Sequence, residues 1–157
     1  MNPASKPPSA RTPLWAAITK AAREKRFVLQ VCGACGAVQY PPREVCFSCL
    51  SETLDWCEVN PQGIVLTCTD LHASINPFFQ SHVPWYTGMI QLACGPRLLA
   101  HLAPGARDVG CKVTVIARLD SSGQGVFIAV PRNTATPLED VDFTALLAEH
   151  KIKGETL

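Results

Sequence analysis

Cys32-Gly33-Ala34-Cys35 and Cys46-Phe47-Ser48-Cys49 are two Cys-x-x-Cys pairs with ten residues between them. A Cys-x-x-Cys pair on a tight turn lets two thiolates converge on one ion. Two such turns supply the four soft, tetrahedrally arranged ligands that Zn²⁺ favours. Gly33 and Gly36 suit a turn that needs unusual φ values or close backbone approach. The second pair lacks that glycine pattern, although Ser48 serves in turns. The spacing predicts one structural zinc held by Cys32, Cys35, Cys46 and Cys49. The alternatives are buried thiol pairs, local redox pairs, or iron in the same four-thiolate site. A redox pair usually opens a helix after a strand. Here Val38, Tyr40 and a Pro41-Pro42 break follow instead.

The flanking residues predict the module around those turns. Residues 27–31 read as a strand delivering the first turn, 37–40 as its return, and Pro41-Pro42-Arg43 as a rigid crossing to the second. The result is a rubredoxin-like zinc ribbon over 27–57. A unit this small buries too little surface to stand alone, and metal binding supplies much of its folding energy. Upstream, Leu14, Trp15, Ala17, Ile18, Ala21 and Ala22 recur at three- and four-residue spacings, so 12–26 reads as an N-terminal helix. Thr12-Pro13 resembles its N-cap and first turn. Residues 1–11 read as a loose lead-in.

Downstream the pattern is mainly β. Strands are predicted over 54–59, 64–69, 87–94, 97–102, 111–119 and 126–130. The last five fit an OB-fold-like barrel spanning 58–131, with a small sandwich as the structural rival. The long connection 70–86 carries His72, His82, Phe78, Phe79, Trp85 and Tyr86. On a β scaffold such a segment is either a recognition surface or a cap over the barrel end. Trp15, Phe78, Phe79, Trp85 and Tyr86 are the partner-binding candidates. A short C-terminal helix is predicted over 138–151, with a fraying tail beyond it.

Composition narrows the function. The chain has 157 residues, 47% hydrophobic and 17% charged, with a formal net charge of +1. That lacks the electrostatic footprint of a general nucleic-acid binder. No run of about 18 apolar residues predicts a membrane span. The first residues lead into no secretory core, and four of the eight cysteines stand at metal spacing. A reducing cytoplasm is therefore expected. Cys57, Cys68, Cys94 and Cys111 lie in apolar runs and read as small buried hydrophobes.

No phosphate loop, His-Glu-x-x-His site, serine elbow or carboxylate pair is present. Four thiolates fill a zinc shell, so the metal site is not predicted to be catalytic. His72, His82, His101 and His150 have no supporting constellation. Arg43, Arg97, Arg118 and Arg132, with Arg107, remain as candidates for a small anionic ligand such as a nucleotide-bearing thioester. Each has solvation or ion pairing as its plainer role.

Cys32-Gly33-Ala34-Cys35-Gly36, Tyr40-Pro41-Pro42-Arg43, Cys46-Phe47-Ser48-Cys49 and Leu54-Asp55-Trp56, after a short helix and before an all-β tract, resemble a known family. It is the zinc-ribbon/OB-fold family associated with acyl-CoA metabolism, formerly a domain of unknown function. Weaker likenesses are Val83-Pro84-Trp85, Val109-Gly110-Cys111-Lys112-Val113 and Gly125-Val126-Phe127. The resemblance spans about residues 12–131. It implies a subunit without its own active site, paired with a thiolase-like enzyme, an aldolase or an acyltransferase. The four cysteines carry over as ligands. The turn Asn60-Pro61-Gln62-Gly63 and the Phe78-Phe79 segment depart from the family pattern, which leaves the partner and any CoA contact open. The expected function is a non-catalytic zinc-binding subunit of a thiolase-type complex acting on acyl-CoA thioesters. A stand-alone acyl-CoA-binding module and a nucleic-acid-binding zinc-ribbon/OB protein are the alternatives.

Overall fold

The computed structural model describes residues 6–152, with side chains to residue 147. The expectations for residues 1–5, the tail 153–157 and the His150 side chain lie outside the described residues. Ile18, Ala21 and Ala22 line the buried face of α1 (Trp15–Arg23), while Lys20 and Arg23 occupy its last turn, where cations suit the helix dipole. The Thr12 hydroxyl does not cap it. The Thr12 and Pro13 carbonyls accept from the amides of Trp15 and Ala16, and Leu14 sits at the cap without a side-chain bond.

The ribbon is a three-stranded sheet. β1 (Val28–Cys32) lies between β2 (Val38–Gln39) and β3 (Leu54–Glu58), antiparallel to both. The chain then enters β4 (Gln62–Leu71), a short helix α2 (Pro77–Gln80) and β5 (Trp85–Leu92). The predicted loop over 70–86 is thus shorter than expected, because Asp70 pairs with Tyr86 and Leu71 with Trp85 in the β4–β5 ladder. Asn76 starts α2 by accepting the amides of Phe78 and Phe79, with Pro77 at its first position.

β6 (Arg97–Leu102), β7 (Lys112–Leu119) and β8 (Gly125–Pro131) complete a closed barrel of order β4-β5-β6-β8-β7. Every ladder is antiparallel except β6–β8. Closure removes the sandwich alternative and gives the five-stranded OB-like architecture.

β8 is buried along its whole length, for two reasons. Phe127 and Ala129 face the barrel core, with Val65, Ile90, Leu98, Val113 and Val115, and that core also takes Ile18 and Ala22 from α1 and Phe27 and Leu29 from the ribbon. The alternate residues Val126, Ile128 and Val130 face outward into a second cluster with Phe78, Trp85, Phe143 and Leu146. The C-terminal segment that covers this outer face is not one helix over 138–151. It is a 3₁₀ turn (Leu138–Asp140) followed by α3 (Phe143–Ile152). Val141 between them is extended. Asp142 restarts the helix by accepting the Ala145 amide at 3.0 Å.

Among the described residues no helix is long and apolar enough to cross a membrane.

Candidate functional site

The two cysteine turns are built alike. At the first, the Gly36 amide donates to the Cys32 carbonyl (2.8 Å) and the Cys32 amide to Ala37 (2.9 Å). At the second, the Leu50 amide donates to the Cys46 carbonyl (3.0 Å) and the Cys46 amide to Ser51 (2.8 Å). Each turn needs a left-handed residue four positions after its first cysteine. Gly36 supplies it at φ +74°, and Leu50 at φ +60°. Gly33 is required for another reason. A Cβ there would stand 2.9 Å from the Thr53 methyl, and the Gly33 amide donates to the Thr53 carbonyl.

These turns bring the four Sγ atoms within 4.8 Å of one another. Cys32 lies 3.6 Å from Cys49 and Cys35 3.6 Å from Cys46, sulfur to sulfur. Four sulfurs on a tetrahedral zinc stand about 3.8 Å apart, the edge of a tetrahedron with ~2.3 Å bonds. The donor set therefore fits a structural Zn²⁺. Cys32 and Cys46 are buried, while Cys35 and Cys49 are on the surface.

Backbone amides prepare the anionic form. The amides of Cys35 and then Ala34 outweigh burial and hold the Cys32 thiol down at about 6. Those of Cys49 and Ser48 lower Cys46. At Cys49 the Ser51 amide pulls the other way, but the neighbouring Cys35 and Cys32 sulfurs push the last proton up to about 12. A divalent cation relieves that crowding of charge.

The second turn is anchored by a buried glutamine pair that sequence reasoning passed over. Gln39 Nε2 donates to Gln30 Oε1 at 2.9 Å. Gln30 holds both backbone groups of Arg43, accepting from its amide at 2.8 Å and donating to its carbonyl at 2.9 Å. Gln39 Oε1 accepts from the Phe47 amide at 3.1 Å. The available signal was a glutamine at a strand position in two otherwise apolar runs, since a buried amide implies a specific set of partners.

Beside this turn a cleft of about 680 Å³ separates ribbon from barrel, lined by Tyr40, Arg43, Phe47, Cys94 and Arg97 among others. Two of the five candidate arginines, Arg43 and Arg97, thus line the same cleft. Among the described residues neither pairs with a carboxylate. The other three are elsewhere, Arg107 over the Tyr86 ring. Arg118 is buried, and its guanidinium donates to the carbonyls of Val141 (2.7 Å), Leu138 (2.6 Å) and Ala117 (2.8 Å), so it is engaged inside the fold. Arg132 is exposed just past β8.

The aromatic candidates are mostly interior. Trp15 Nε1 donates to the Gly125 carbonyl at 2.8 Å, and its ring packs on Tyr40 and Phe127. Phe78 and Trp85 are buried in the outer cluster, and Phe79 packs edge-on against both. Tyr86 is half-buried under the Arg107 guanidinium, 3.7 Å from its ring centre. Covering the barrel, rather than offering an aromatic face, is what segment 70–86 does with these rings. Of its apolar side chains Leu71 and Ile75 are exposed, while Val45, Phe47 and Leu50 are exposed at and beside the second cysteine turn.

The remaining cysteines are half-buried. Burial pushes the Cys68 and Cys94 thiols up, away from nucleophilic character.

Comparison with known proteins agrees with this architecture. Residues 19–55 match a family model described as "ChsH2, rubredoxin-like zinc ribbon domain", and residues 56–118 match "ChsH2, C-terminal OB-fold domain". Over 99 residues the chain is 30% identical to a "Probable enoyl-CoA hydratase alpha subunit" of Thermomonospora curvata. That alignment covers 61% of this chain and 30% of the relative, so the chain spans less than a third of that protein's length. Among solved structures, a chain of an "Ltp2-ChsH2(DUF35) aldolase" superposes with a TM-score of 0.66 at 26% identity, over 80% of this chain and 98% of the other.

Proposed function

This chain belongs to the ChsH2 zinc-ribbon and OB-fold family, and on that premise we propose that it is a non-catalytic subunit of a thiolase-type complex acting on acyl-CoA thioesters. It stabilises the catalytic subunit and shapes its substrate entrance. The observation that carries this reading is the extent of the structural likeness: 98% of a chain in an ChsH2-containing aldolase superposes on this one. The probable enoyl-CoA hydratase subunit adds a CoA-ester enzyme in which a stretch of this kind is part of something longer.

The site chemistry supports it. Cys32, Cys35, Cys46 and Cys49 hold the zinc, which cross-links the two turns and, with four thiolates, keeps no position for water or substrate. Those sulfurs are then ligands rather than nucleophiles. His101, the most enclosed histidine candidate, uses Nδ1 to accept from Trp85 Nε1 at 2.9 Å. The carbon–carbon or acyl-transfer step belongs to the partner, a thiolase, aldolase or acyltransferase subunit with its own cysteine and bases. A reducing cytoplasm keeps the four thiolates available to the metal.

The arginine-lined cleft favours a second reading, a stand-alone acyl-CoA-binding module, because its volume and its two arginines suit a phosphorylated ligand. A nucleic-acid reading draws least support, since the rings it needs for base stacking are interior.

Co-expression with thiolase-fold proteins of the same genome tests the first reading. A complex of fixed stoichiometry, with acyl-CoA turnover by the complex and none by this chain alone, is the expected result. A monodisperse lone chain that binds CoA at micromolar concentration and joins no such protein defeats it and favours the second.

A further inference from the structure

We propose that the second cysteine turn and the cleft beside it form the docking surface for the catalytic subunit, and that the docking segment pairs an acidic side chain with an apolar one. The inference rests on the subunit role proposed above. It adds which face is used and what chemistry meets it.

Three independent observations converge on this turn. The first is apolar exposure. Phe47 is 58% and Leu50 74% exposed, with Val45 beside them. A grouping of this kind on a rigid turn is a docking feature rather than scattered surface.

The second is backbone strain. The equivalent position in the first turn is Gly36, which adopts φ +74° freely, whereas Leu50 holds φ +60° with a branched side chain. Left-handed backbone is unfavourable for a non-glycine residue, because its Cβ crowds the following carbonyl oxygen. Folding alone favours glycine at both positions. A leucine that is both strained and turned to solvent gains nothing from this chain's own core.

The third is charge. Arg43 and Arg97 line the adjoining cleft from the ribbon and from the barrel, with no carboxylate partner among the described residues. Phe47 lines the same cleft, so apolar tip and cationic slot are continuous. The buried Gln30–Gln39 pair fixes the backbone of Arg43 and Phe47 in advance, which reduces the ordering cost of association.

A carboxylate in the slot with an apolar neighbour over Phe47 and Leu50 uses all three features. A free nucleotide-bearing ligand uses the slot alone and leaves Leu50 without a role.

The test uses the co-expressed complex and, in parallel, CoA as a small-molecule probe. Phe47→Asp, Leu50→Asp and the pair Arg43→Glu with Arg97→Glu are expected to retain one zinc per chain and to weaken complex formation by about 30-fold or more. Ile75→Asp, at an exposed apolar residue outside the turn and cleft, is the control and keeps wild-type affinity. Leu50→Gly separates docking from folding, because it raises the unfolding temperature of the free chain while weakening the complex. Zinc-loaded variants that bind as tightly as wild type overturn this surface and leave the subunit role standing. So does CoA binding lost in the arginine pair while partner binding persists. Absence of any complex with the wild-type chain overturns both.

Discussion

His101 sits in an aromatic surround, with Trp85 and Phe143 edge-on to its ring and Phe79 stacked on it. Burial, more than the opposed charges of Asp120 and Arg11, lowers its pKa from the ordinary 6.5 to about 4. The Trp85 Nε1–H donated to Nδ1 requires the neutral ring, so the fold binds fewer protons here than the unfolded chain. The sign follows. The contribution is complete above about pH 6.5 and is lost as pH falls from there toward 4, at a cost on the order of 3 kcal/mol. Unfolding temperature measured from pH 7.5 to 4 is expected to fall through that window in the wild type. His101→Gln keeps an acceptor for Trp85 and is expected to start lower and flatten the same interval. A wild-type curve flat down to pH 4.5 refutes the assignment. The fate of the aromatics was the least legible part of the sequence at this scale. A phenylalanine beside polar residues reads the same whether it faces a partner or a second core. Only α2 and α3, folded over the outer face of β8, distinguish the two for Phe78 and Trp85. The convergence of the four cysteines, by contrast, was legible in their spacing, because it needs little beyond two local turns.

At the scale of elements, the expected C-terminal helix is present but starts at Phe143, after a separate 3₁₀ turn. Pro137 with Glu139 and Asp140, and then Asp142, both look like helix starts, and the chain uses the first for a 3₁₀ turn and the second for α3. What holds this segment is Arg118, whose fork reaches the carbonyls of Leu138 and Val141 from β7. An arginine in a strand pattern gives no sign of whether it meets a ligand or two carbonyls 20 and 23 residues ahead. Arg118→Met removes the donors and leaves buried carbonyls unpaired, with an expected loss of about 2–4 kcal/mol. Hydrogen exchange is expected to quicken across 138–147 first, while the cysteine turns keep their zinc. Unchanged protection there contradicts the clip. Among strands, alternation placed all five of the barrel within a few residues. It missed the extension of β4 to Leu71, because pairing with Trp85 and Tyr86 is a property of the partner strand.

Taken whole, the chain joins its ribbon and barrel through one core. Phe27 and Leu29 from the ribbon and Ile18 and Ala22 from α1 are packed with Val65, Val113 and Phe127 of the barrel. α1 lies so close on β8 that a Cβ at Gly125 would stand 2.9 Å from the Thr19 backbone, and the Thr19 hydroxyl accepts the Gly125 amide at 3.0 Å. Two consequences separate a shared core from modules joined by a tether. Gly125→Ala must push α1 off the barrel, with an expected loss of about 1–3 kcal/mol although no barrel residue loses an atom. Zinc removal must also reach the barrel. The ribbon lacks the surface to keep its shape without the metal, and β1 carries Leu29 into the common core. Elemental analysis is expected to give about one zinc per chain. Chelation, or Cys32→Ser, is expected to lower the unfolding temperature reported by Trp85 in the outer cluster, and to do so in a single transition. A barrel that melts at an unchanged temperature after the metal is gone would mean that the two modules fold independently. The zinc would then set only the shape of the second turn, and its loss would abolish partner binding without weakening the barrel.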